Sequence, residues 1–390
     1  KTALITGAGG LLGPKHAEAI LDFGGTVILT DHHLDRVENK ARVLNEKYGE
    51  RFAKYRDDYH ANIKFSGDDR FMQSAYPLSV LLELINRCNL DCIMCDQGFR
   101  NDIDKVTMSD EILTKLFKDF KKNKLSALML SLSEPLLYKN IGKVLDMAKE
   151  AEIMDLFLFT NGTLLDSKRI DMILDSSVTR LFVSIDANSH ETYSIIRPTA
   201  KKVSSGDENR FHKLERNIRN FIDKRNSLGR QLPLVRVSFV AKTENSHEVE
   251  SFINKWVNIV DSVEIQKELT ITAFDNLRNE EQLSINDDNF DYKCNQPWAQ
   301  MSIYSNGQVA PCCNTIGNQI PIGNVINESI SEIWNGKKMQ EVRKGFILNN
   351  PNDVCKQCLQ NFHSDYFDQA DPNEKFVQHP NTIEQVITIK

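Results

Sequence analysis

The stretch Val80-Leu-Leu-Glu-Leu-Ile85-Asn-Arg-Cys88-Asn-Leu-Asp-Cys92-Ile-Met-Cys95 places three closely spaced cysteines just after a mainly apolar run. A short apolar run of this kind is typical of a buried strand, so we expect the cysteines in the loop at its carboxyl end. Loops in that position form the active face of α/β barrels. The Cys-x3-Cys-x2-Cys spacing therefore indicates a functional loop.

The three cysteines suit an iron–sulfur cluster that keeps one iron open. Three thiolates from one loop can hold three irons of a cubane cluster and leave the fourth iron to another ligand. A structural zinc site would close its shell with four ligands, and no histidine follows within this loop. A ferredoxin-like cluster would use a fourth cysteine. From the triplet alone, a zinc site and a chance spacing remain open as alternatives.

Strands and helices alternate from residue 78 to about residue 269. Six segments read as strands, at 80–85, 127–132, 156–160, 180–185, 234–240 and 262–267. One intervening helix pattern carries its apolar residues on a single face, namely Ile112, Leu113, Leu116, Phe117 and Phe120. Repeated strand-then-helix order implies parallel strands with right-handed crossovers. The predicted fold class is α/β, with a partial (β/α)6 barrel of the TIM type.

Several motifs beyond the cysteines follow the predicted strands in a fixed order. These are Ser131-Leu-Ser133-Glu134-Pro135, Thr160-Asn-Gly-Thr163, Ser184-Ile-Asp186 and, further on, Arg197. With the cysteine loop, they resemble the radical S-adenosylmethionine (SAM) superfamily over residues 78 to about 360. The first motif is similar to the family's Gly-Gly-Glu-Pro segment, with Leu132 and Ser133 in place of the two glycines. Taken singly, an aspartate after a strand is more often a helix cap, and an arginine is more often solvated.

The resemblance implies a radical SAM oxidoreductase. Its [4Fe–4S] cluster would be held by Cys88, Cys92 and Cys95, and SAM would be bound by Ser133, Glu134, Ser184, Asp186 and Arg197. By the same resemblance, Glu134 would receive the SAM amino group and Arg197 would pair with the SAM carboxylate. Ser184 and Asp186 would bind the ribose. An electron from a donor such as flavodoxin or ferredoxin would cleave SAM, and the resulting 5′-deoxyadenosyl radical would abstract hydrogen from the substrate.

The C-terminal cysteines form a second group. Cys294, Cys312, Cys355 and Cys358 flank a hairpin pattern with an Asn306-Gly307 turn, and the last two form a Cys-x2-Cys knuckle. By spacing alone, a four-cysteine zinc ribbon is an equal alternative. The pattern resembles the SPASM/twitch extension, which implies one auxiliary [4Fe–4S] cluster on these four cysteines. Cys313 would be a spare thiol or an alternative ligand.

A glycine-rich turn opens the chain. Thr6-Gly7-x2-Gly10-x2-Gly13 follows a predicted strand, and Asp31 follows the next one, at 26–30. This resembles the nucleotide-binding end of short-chain dehydrogenases, although it comprises only half of a Rossmann unit. No tyrosine has a lysine four residues later, so that family's catalytic pair is absent. NAD binding, a remnant, a fusion junction and a docking module all remain open here.

The predicted order is a half-Rossmann segment at 1–58, a linker at 59–77, the barrel at 78–285, the cluster-binding extension at 286–362 and a tail at 363–390. Polar and charged residues from 50 to 70 indicate the linker. The net charge of −6 argues against a nucleic-acid partner, and no apolar run approaches the roughly 20 residues that span a bilayer. Clustered cysteines in a long chain indicate metal binding in a reducing compartment, so we expect a cytoplasmic protein.

The expected reaction is the oxidation of a sugar or cyclitol alcohol, with the auxiliary cluster as electron acceptor, by resemblance to the radical SAM aminocyclitol dehydrogenases. Modification of a peptide or protein is the alternative within the same chemistry. A non-catalytic zinc protein and an NAD-dependent oxidoreductase are the alternatives from other classes. Candidates for contact with substrate in the barrel are Gln97, Arg100, Arg236, Glu264 and Lys267.

Overall fold

The fold is described from a computed structural model of the chain, over residues 2–6, 26–30, 47, 49–63, 74–95, 105–199, 209–267, 290–312 and 319–364. The strands are β1 (Thr2–Thr6), β2 (Thr26–Thr30), β3 (Ser79–Leu82), β4 (Ala127–Leu130), β5 (Asp155–Thr160), β6 (Arg180–Ser184), β7 (Leu234–Ala241), β8 (Ser262–Lys267), β9 (Gln300–Ile303), β10 (Gln308–Ala310) and β11 (Gly323–Asn324). The helices are α1 (Glu50–Ile63), α2 (Asp110–Asn123), α3 (Ile141–Glu150), α4 (Ser167–Asp175), α5 (His190–Ile196), α6 (Arg210–Ser227), α7 (Val249–Trp256), α8 (Gln296–Ala299), α9 (Ile330–Asn335), α10 (Lys337–Ile347) and α11 (Asp353–Ser364).

Nine of the described strands form one sheet in the order β11-β10-β9-β3-β4-β5-β6-β7-β8. Within it, β3 to β8 are parallel and follow one another in chain order. This confirms the α/β fold with a partial (β/α)6 barrel, and each of the six predicted barrel strands is present. β3 ends at Leu82, earlier than predicted, because Ile85 leaves the sheet and pairs with Thr107.

Barrel strands β3 to β6 are buried on both faces. Leu82 and Leu130 belong to the main core, which lies between the sheet and the surrounding helices. Alternate positions of the same strands form a separate apolar cluster inside the barrel, made of Leu81, Met129, Phe157 and Phe182. Helix α2 faces the main core as predicted, through Leu113, Leu116, Phe117 and Phe120, whereas Ile112 is only half-buried.

Helix α1 lies where the sequence predicted the start of a linker. Phe52 and Tyr55 are buried against Ala127 and Met154, at the amino ends of the barrel strands. The Tyr55 hydroxyl donates a hydrogen bond to Asp155 Oδ2 at 3.2 Å. Helix α1 therefore crosses the predicted boundary between the half-Rossmann segment and the linker, and it takes up residues 59–63 of the linker predicted at 59–77. Two aromatic residues three positions apart share one of its faces despite the charged residues around them.

The C-terminal extension joins the barrel sheet through β9, which pairs in parallel with β3. The predicted hairpin is present between β9 and β10, and Gly307 in its turn has φ +83°. Two helices, α9 and α10, follow the hairpin. Gly336 ends the first and begins the second because its backbone is extended, with ψ 160°.

At the start of the chain, β1 and β2 pair in parallel with Thr2 opposite Thr26. These are the two strands predicted for the half-Rossmann segment. The turn from Gly7 to Gly13, and Asp31, lie outside the described residues, so nucleotide binding there stays a prediction. Among the described helices, none is both long enough and apolar enough to cross a membrane.

Candidate cofactor site

The cysteine loop follows β3 at the carboxyl edge of the barrel and is tied by its backbone to the segment after α5. The Asp91 N–H donates to the Pro198 carbonyl at 2.8 Å, and the Ile93 N–H donates to the Ile196 carbonyl at 3.1 Å. Leu90 forms an antiparallel bridge with Thr199. These contacts bring Arg197, between the two carbonyls, to the cysteine loop.

Nitrogen donors point at the sulfur atoms of Cys88 and Cys92. Cys88 Sγ accepts hydrogen bonds from the Leu90 N–H at 3.5 Å and from Asn161 Nδ2 at 3.7 Å. Cys92 Sγ accepts one from Arg197 Nη1 at 3.5 Å. Burial raises the pKa of the Cys88 thiol to about 11 and raises that of Cys92, although Arg197 lowers both.

This donor set fits an iron–sulfur cluster. A bound cation removes the proton of a coordinating thiol, and N–H groups aimed at sulfur stabilise the thiolate that results. The third cysteine, Cys95, is half-buried in the same loop, and its N–H donates to the Cys92 carbonyl at 3.0 Å. Three thiols from one loop leave one iron of a cubane cluster open, as the spacing predicts.

Glu134 is fixed at the end of β4, next to the cysteine loop. It is 1% exposed, and its Oε1 accepts from the Thr160 hydroxyl (2.8 Å) and the Leu136 N–H (3.1 Å), while its Oε2 accepts from the Asn161 N–H (2.7 Å). Burial raises the pKa of this carboxyl, although these donors and Arg197 lower it. Ser133 is half-buried beside it.

Leu132 has a backbone conformation that favours glycine. Its φ is +76°, in the left-handed region, where a leucine is strained by roughly 1–2 kcal/mol. Its side chain packs on the apolar cluster inside the barrel, which includes Met129 and Phe182. The loop therefore combines a backbone path that favours glycine with an apolar side chain at the barrel interior.

Asp186 and Arg197, both predicted to bind SAM, are paired with each other. Asp186 is fully buried, and its Oδ2 accepts from Arg197 Nε at 2.8 Å and from Arg197 Nη2. Its Oδ1 accepts from the Val240 N–H at 2.7 Å. Burial lowers the pKa of Arg197, but the charge of Asp186 outweighs it, so the net shift is upward. Ser184 is half-buried at the end of β6.

Asn161 is a site residue to which the sequence assigned no role. Its side chain donates to Cys88 Sγ and, at 2.8 Å, to Asn89 Oδ1, while its backbone N–H donates to Glu134. The signal was the Thr160-Asn-Gly-Thr163 motif after β5. Gly162 is needed there, because its φ is +71° and a Cβ would lie 2.4 Å from Leu214 Cδ1.

The four C-terminal cysteines of the predicted auxiliary site are all half-buried. Cys294 precedes α8, Cys312 follows β10, and Cys355 and Cys358 lie in the first turns of α11. The predicted knuckle is therefore helical, with its two cysteines on one helix face. Burial raises the pKa of Cys355 to about 11. Within the described ranges, no group of three or more His, Cys, Asp or Glu side chains could hold a single metal ion. Cys313 lies outside those ranges.

The barrel interior carries a buried ion pair beside an aromatic wall. Arg236 Nη1 lies 3.6 Å from Glu264 Oε1, and the Ser238 hydroxyl donates to Glu264 Oε2 at 3.4 Å. The Arg236 guanidinium lies 4.8 Å from the ring centre of Phe182, which stacks on Phe159 at 4.5 Å. Of the other predicted barrel residues, Lys267 ends β8, while Gln97 and Arg100 lie outside the described residues.

Two family models match the chain. Residues 82–253 match the radical SAM superfamily, and residues 294–359 match SPASM, an iron–sulfur cluster-binding domain. The second range begins at Cys294 and ends just after Cys358, so it contains the four predicted auxiliary ligands.

Curated relatives match over part of their length. A probable GTP 3',8-cyclase of Methanocaldococcus jannaschii is 26% identical over 197 residues, which are 49% of this chain and 61% of that protein. Another, from Methanococcus maripaludis strain C5, is 30% identical over 118 residues, which are 30% of this chain and 39% of that protein. The chain thus spans less than two thirds of these two relatives.

Solved structures share the fold. Streptococcus suis SuiB has a TM-score of 0.53 at 14% identity, covering 85% of this chain and 78% of that one. The structure of anSMEcpe with bound AdoMet and the Cp18Cys peptide has a TM-score of 0.51 at 17% identity, covering 72% of this chain and 86% of that one.

Proposed function

Because this chain belongs to the radical SAM superfamily and carries a SPASM domain, we propose that it oxidises an alcohol group of a sugar or cyclitol-type substrate inside its barrel. The two domains imply three cofactors, which are a SAM-binding [4Fe–4S] cluster, an auxiliary iron–sulfur cluster and SAM. When bound, SAM and the first cluster supply a radical that abstracts hydrogen from a carbon atom.

Cys88, Cys92 and Cys95 would hold the first cluster. The burial of their loop and the N–H donors at two sulfurs support this assignment. Glu134 would accept the amino group of SAM, since its buried carboxyl is fixed by three donors beside the cysteine loop. Ser133, Ser184 and Asp186 would line the same cofactor site from the ends of neighbouring strands.

The buried Arg236–Glu264 pair beside an aromatic wall carries the proposal of a polyol substrate. A sugar or cyclitol ring has C–H faces that pack on aromatic rings such as Phe159 and Phe182, and hydroxyl groups that need polar partners. Glu264 can accept a hydroxyl proton, and Arg236 can hold a neighbouring oxygen. Oxidation of the alcohol then requires the loss of one hydrogen atom from carbon, one proton from oxygen and one further electron.

The cluster held by the auxiliary cysteines would accept that electron. A cluster held by four cysteines has no open iron for substrate, so its chemistry is outer-sphere electron acceptance. Cys294, Cys312, Cys355 and Cys358 are the proposed ligands. Their half-burial and their inclusion in the SPASM match support the assignment.

The first test determines iron and sulfide content, with EPR of anaerobically purified, reduced protein in the presence and absence of SAM. We expect about eight irons per chain, by the arithmetic of two [4Fe–4S] clusters, and a SAM-dependent change in one of two signals. About four irons with SAM sensitivity would remove the auxiliary cluster and the electron-acceptor step. Zinc in place of iron would overturn the proposal.

The substrate test uses polyols deuterated at the carbinol carbon. The expected result is deuterium in 5′-deoxyadenosine together with a carbonyl product, both measured by mass spectrometry. The Glu264→Gln variant should still form 5′-deoxyadenosine but should yield less ketone. Turnover of GTP, the substrate in the relatives' name, or of peptides but not polyols would contradict the proposal.

A further inference from the structure

We propose that Arg197 is a positioning residue for the first cluster: it donates a hydrogen bond to the Cys92 thiolate and thereby raises the cluster's reduction potential. This differs from the resemblance, which assigns Arg197 to the carboxylate of SAM. The inference rests on the proposed function in one respect, namely that Cys88, Cys92 and Cys95 hold an iron–sulfur cluster.

The guanidinium of Arg197 is already committed on two of its three nitrogen atoms. Nε and Nη2 both donate to Asp186 Oδ2, and the remaining Nη1 donates to Cys92 Sγ at 3.5 Å. Arg197 is only 7% exposed. These contacts use three of the five N–H groups of the guanidinium, so a SAM carboxylate would have to share Arg197 with Asp186 and Cys92.

Asp186 is itself held from several sides. Its Oδ1 accepts from the Val240 N–H at 2.7 Å, and its backbone carbonyl accepts from Asn245 Nδ2 at 2.9 Å. The Asn245 side chain also donates to the Val240 carbonyl at 2.9 Å. The carboxylate that anchors Arg197 is therefore fixed by β7 and by the loop that follows it.

The backbone sets the separation of Arg197 and Cys92. Two backbone hydrogen bonds, from Ile93 to Ile196 and from Asp91 to Pro198, lie on either side of Cys92 in the cysteine loop and of Arg197 in the segment at the end of α5. Arg197 thus cannot move away from Cys92 without breaking the contact between the cysteine loop and the end of α5. The contact between Arg197 and Cys92 is therefore held in place both by Asp186 and by the backbone hydrogen bonds.

The chemical effect follows from the charge of the donor. Hydrogen bonds to the sulfur ligands of an iron–sulfur cluster help to set its potential, and a donor favours the reduced state because that state carries more negative charge. An arginine is always protonated and is a constant donor. Reduction adds one electron, which a chemical reductant such as dithionite supplies in the experiment.

The test is an anaerobic redox titration without SAM, following the EPR signal that responds to later SAM addition. For Arg197→Lys, whose ammonium lacks the fork needed to reach Asp186 and Cys92 together, the ratio of reduced to oxidised cluster at a fixed potential should fall about tenfold, a one-electron shift of about 59 mV. Arg210→Lys is the matched control. Arg210 donates to the Arg197 carbonyl and lies over the Tyr193 ring. The cluster of the Arg210→Lys variant should therefore have the same reduction potential as the cluster of the unsubstituted protein.

A second variant guards against failure to fold. Asp186→Asn with Arg197→Gln removes both buried charges together and leaves no unpaired carboxylate, and it should lower the potential in the same direction. SAM affinity is measured in parallel by equilibrium dialysis. An unchanged potential with a large loss of SAM affinity in both variants would overturn the proposal and return Arg197 to the carboxylate role.

The outcomes separate this inference from the proposed function. A protein whose cluster shifts as expected but which does not oxidise polyols would refute the proposed function and support the role of Arg197. A protein that lacks a SAM-responsive cluster would refute both.

Discussion

At the scale of single residues, Leu132 carries a backbone strain that substitutions can measure. Because its φ is +76°, glycine fits this position better than any residue with a Cβ. We expect Leu132→Gly to be more stable than Leu132→Ala by about 1 kcal/mol, the reverse of the usual order. Both variants lose the packing of the leucine beyond Cβ, so the difference between them reports mainly on the backbone.

The matched control for Leu132 is Leu137, which is also half-buried but lies in a 3-10 turn. The φ of Leu137 is not positive, so at this position the alanine variant should be more stable than the glycine variant. Denaturant unfolding of the anaerobic proteins gives both differences. An alanine variant at least as stable as the glycine variant at Leu132 would show that its left-handed conformation is not a source of strain.

The buried carboxyl of Glu134 predicts how SAM binding depends on pH. Burial raises its pKa, so the charged form that would attract the SAM amino group is lost at a higher pH than for an exposed glutamate. SAM affinity should therefore weaken as the pH falls through this raised value. The measurement is the SAM dissociation constant over the pH range in which the cluster stays intact.

Glu134→Gln is the control for this pH dependence. The amide does not titrate, so SAM should bind more weakly than to the unsubstituted protein at high pH and with little change as the pH falls. If the variant keeps the full pH dependence, another group is responsible, and Glu134 does not contact the amino group.

Residue patterns predicted the position of the site but not the pairing within it. The cysteine triplet and Glu134 could be placed because each follows a strand directly, and parallel strands end at one edge of the sheet. Asp186 and Arg197 were predicted to bind SAM independently, whereas the structure pairs them. Their pairing depends on the path of α5, which brings Arg197 back over the end of β6, and local sequence does not encode that path.

At the scale of elements, helix α9 begins with a capping box that should stabilise the C-terminal extension. Ser329 Oγ accepts from the Glu332 N–H at 3.2 Å, and Glu332 Oε2 accepts from the Ser329 N–H at 2.8 Å. The helix carries Trp334, whose Nε1 donates to the Ser74 carbonyl before the barrel. Ser329→Ala should cost about 1 kcal/mol in unfolding free energy.

Ser331→Ala is the control for the capping prediction, since Ser331 lies within α9 rather than at its cap. It should change the unfolding free energy by much less, because alanine is the better helix former at an internal position. Equal losses from Ser329→Ala and Ser331→Ala would show that the capping box does not contribute.

The barrel strands were predictable for a reason that did not extend to α1. Strands buried on both faces appear as nearly continuous apolar runs, and β4 to β6 have mainly that composition, whereas β7 and β8 carry polar residues at alternate positions. In helix α1, Phe52 and Tyr55 are buried against the strand ends, and charged residues surround them in the sequence. Because charged residues dominate this segment, its composition indicates a linker, and the two aromatic residues are too few to indicate a helix.

At the scale of the whole molecule, the C-terminal extension is joined to the barrel through β9 and β3. The register pairs Ser79 with Gln300 and Leu82 with Ile303, across more than two hundred residues of sequence. Such a pairing is set by long-range packing, so the sequence predicted the hairpin but not the strand that it joins. The join makes the two cluster-binding regions parts of one sheet.

Glu83 provides a test of this join. It is 3% exposed, and its Oε2 accepts from the Ser305 N–H at 2.9 Å and from the Ser305 hydroxyl at 2.7 Å. Glu83→Gln weakens both contacts, while Ser305→Ala removes only the hydroxyl. In a double-mutant cycle by denaturant unfolding we expect a coupling energy of about 1 kcal/mol, in the range found for buried contacting pairs.

The coupling should have a functional counterpart if the join fixes one cluster-binding region against the other. Glu83→Gln would then slow ketone formation more than formation of 5′-deoxyadenosine, because only the former depends on the extension. Ser331→Ala, at a half-buried position of the same extension that does not contact Glu83, should leave the ratio of the two products unchanged. Equal slowing of both products by Glu83→Gln would mean that Glu83 supports the barrel alone, and that the strand pairing of β9 with β3 does not transmit to the chemistry.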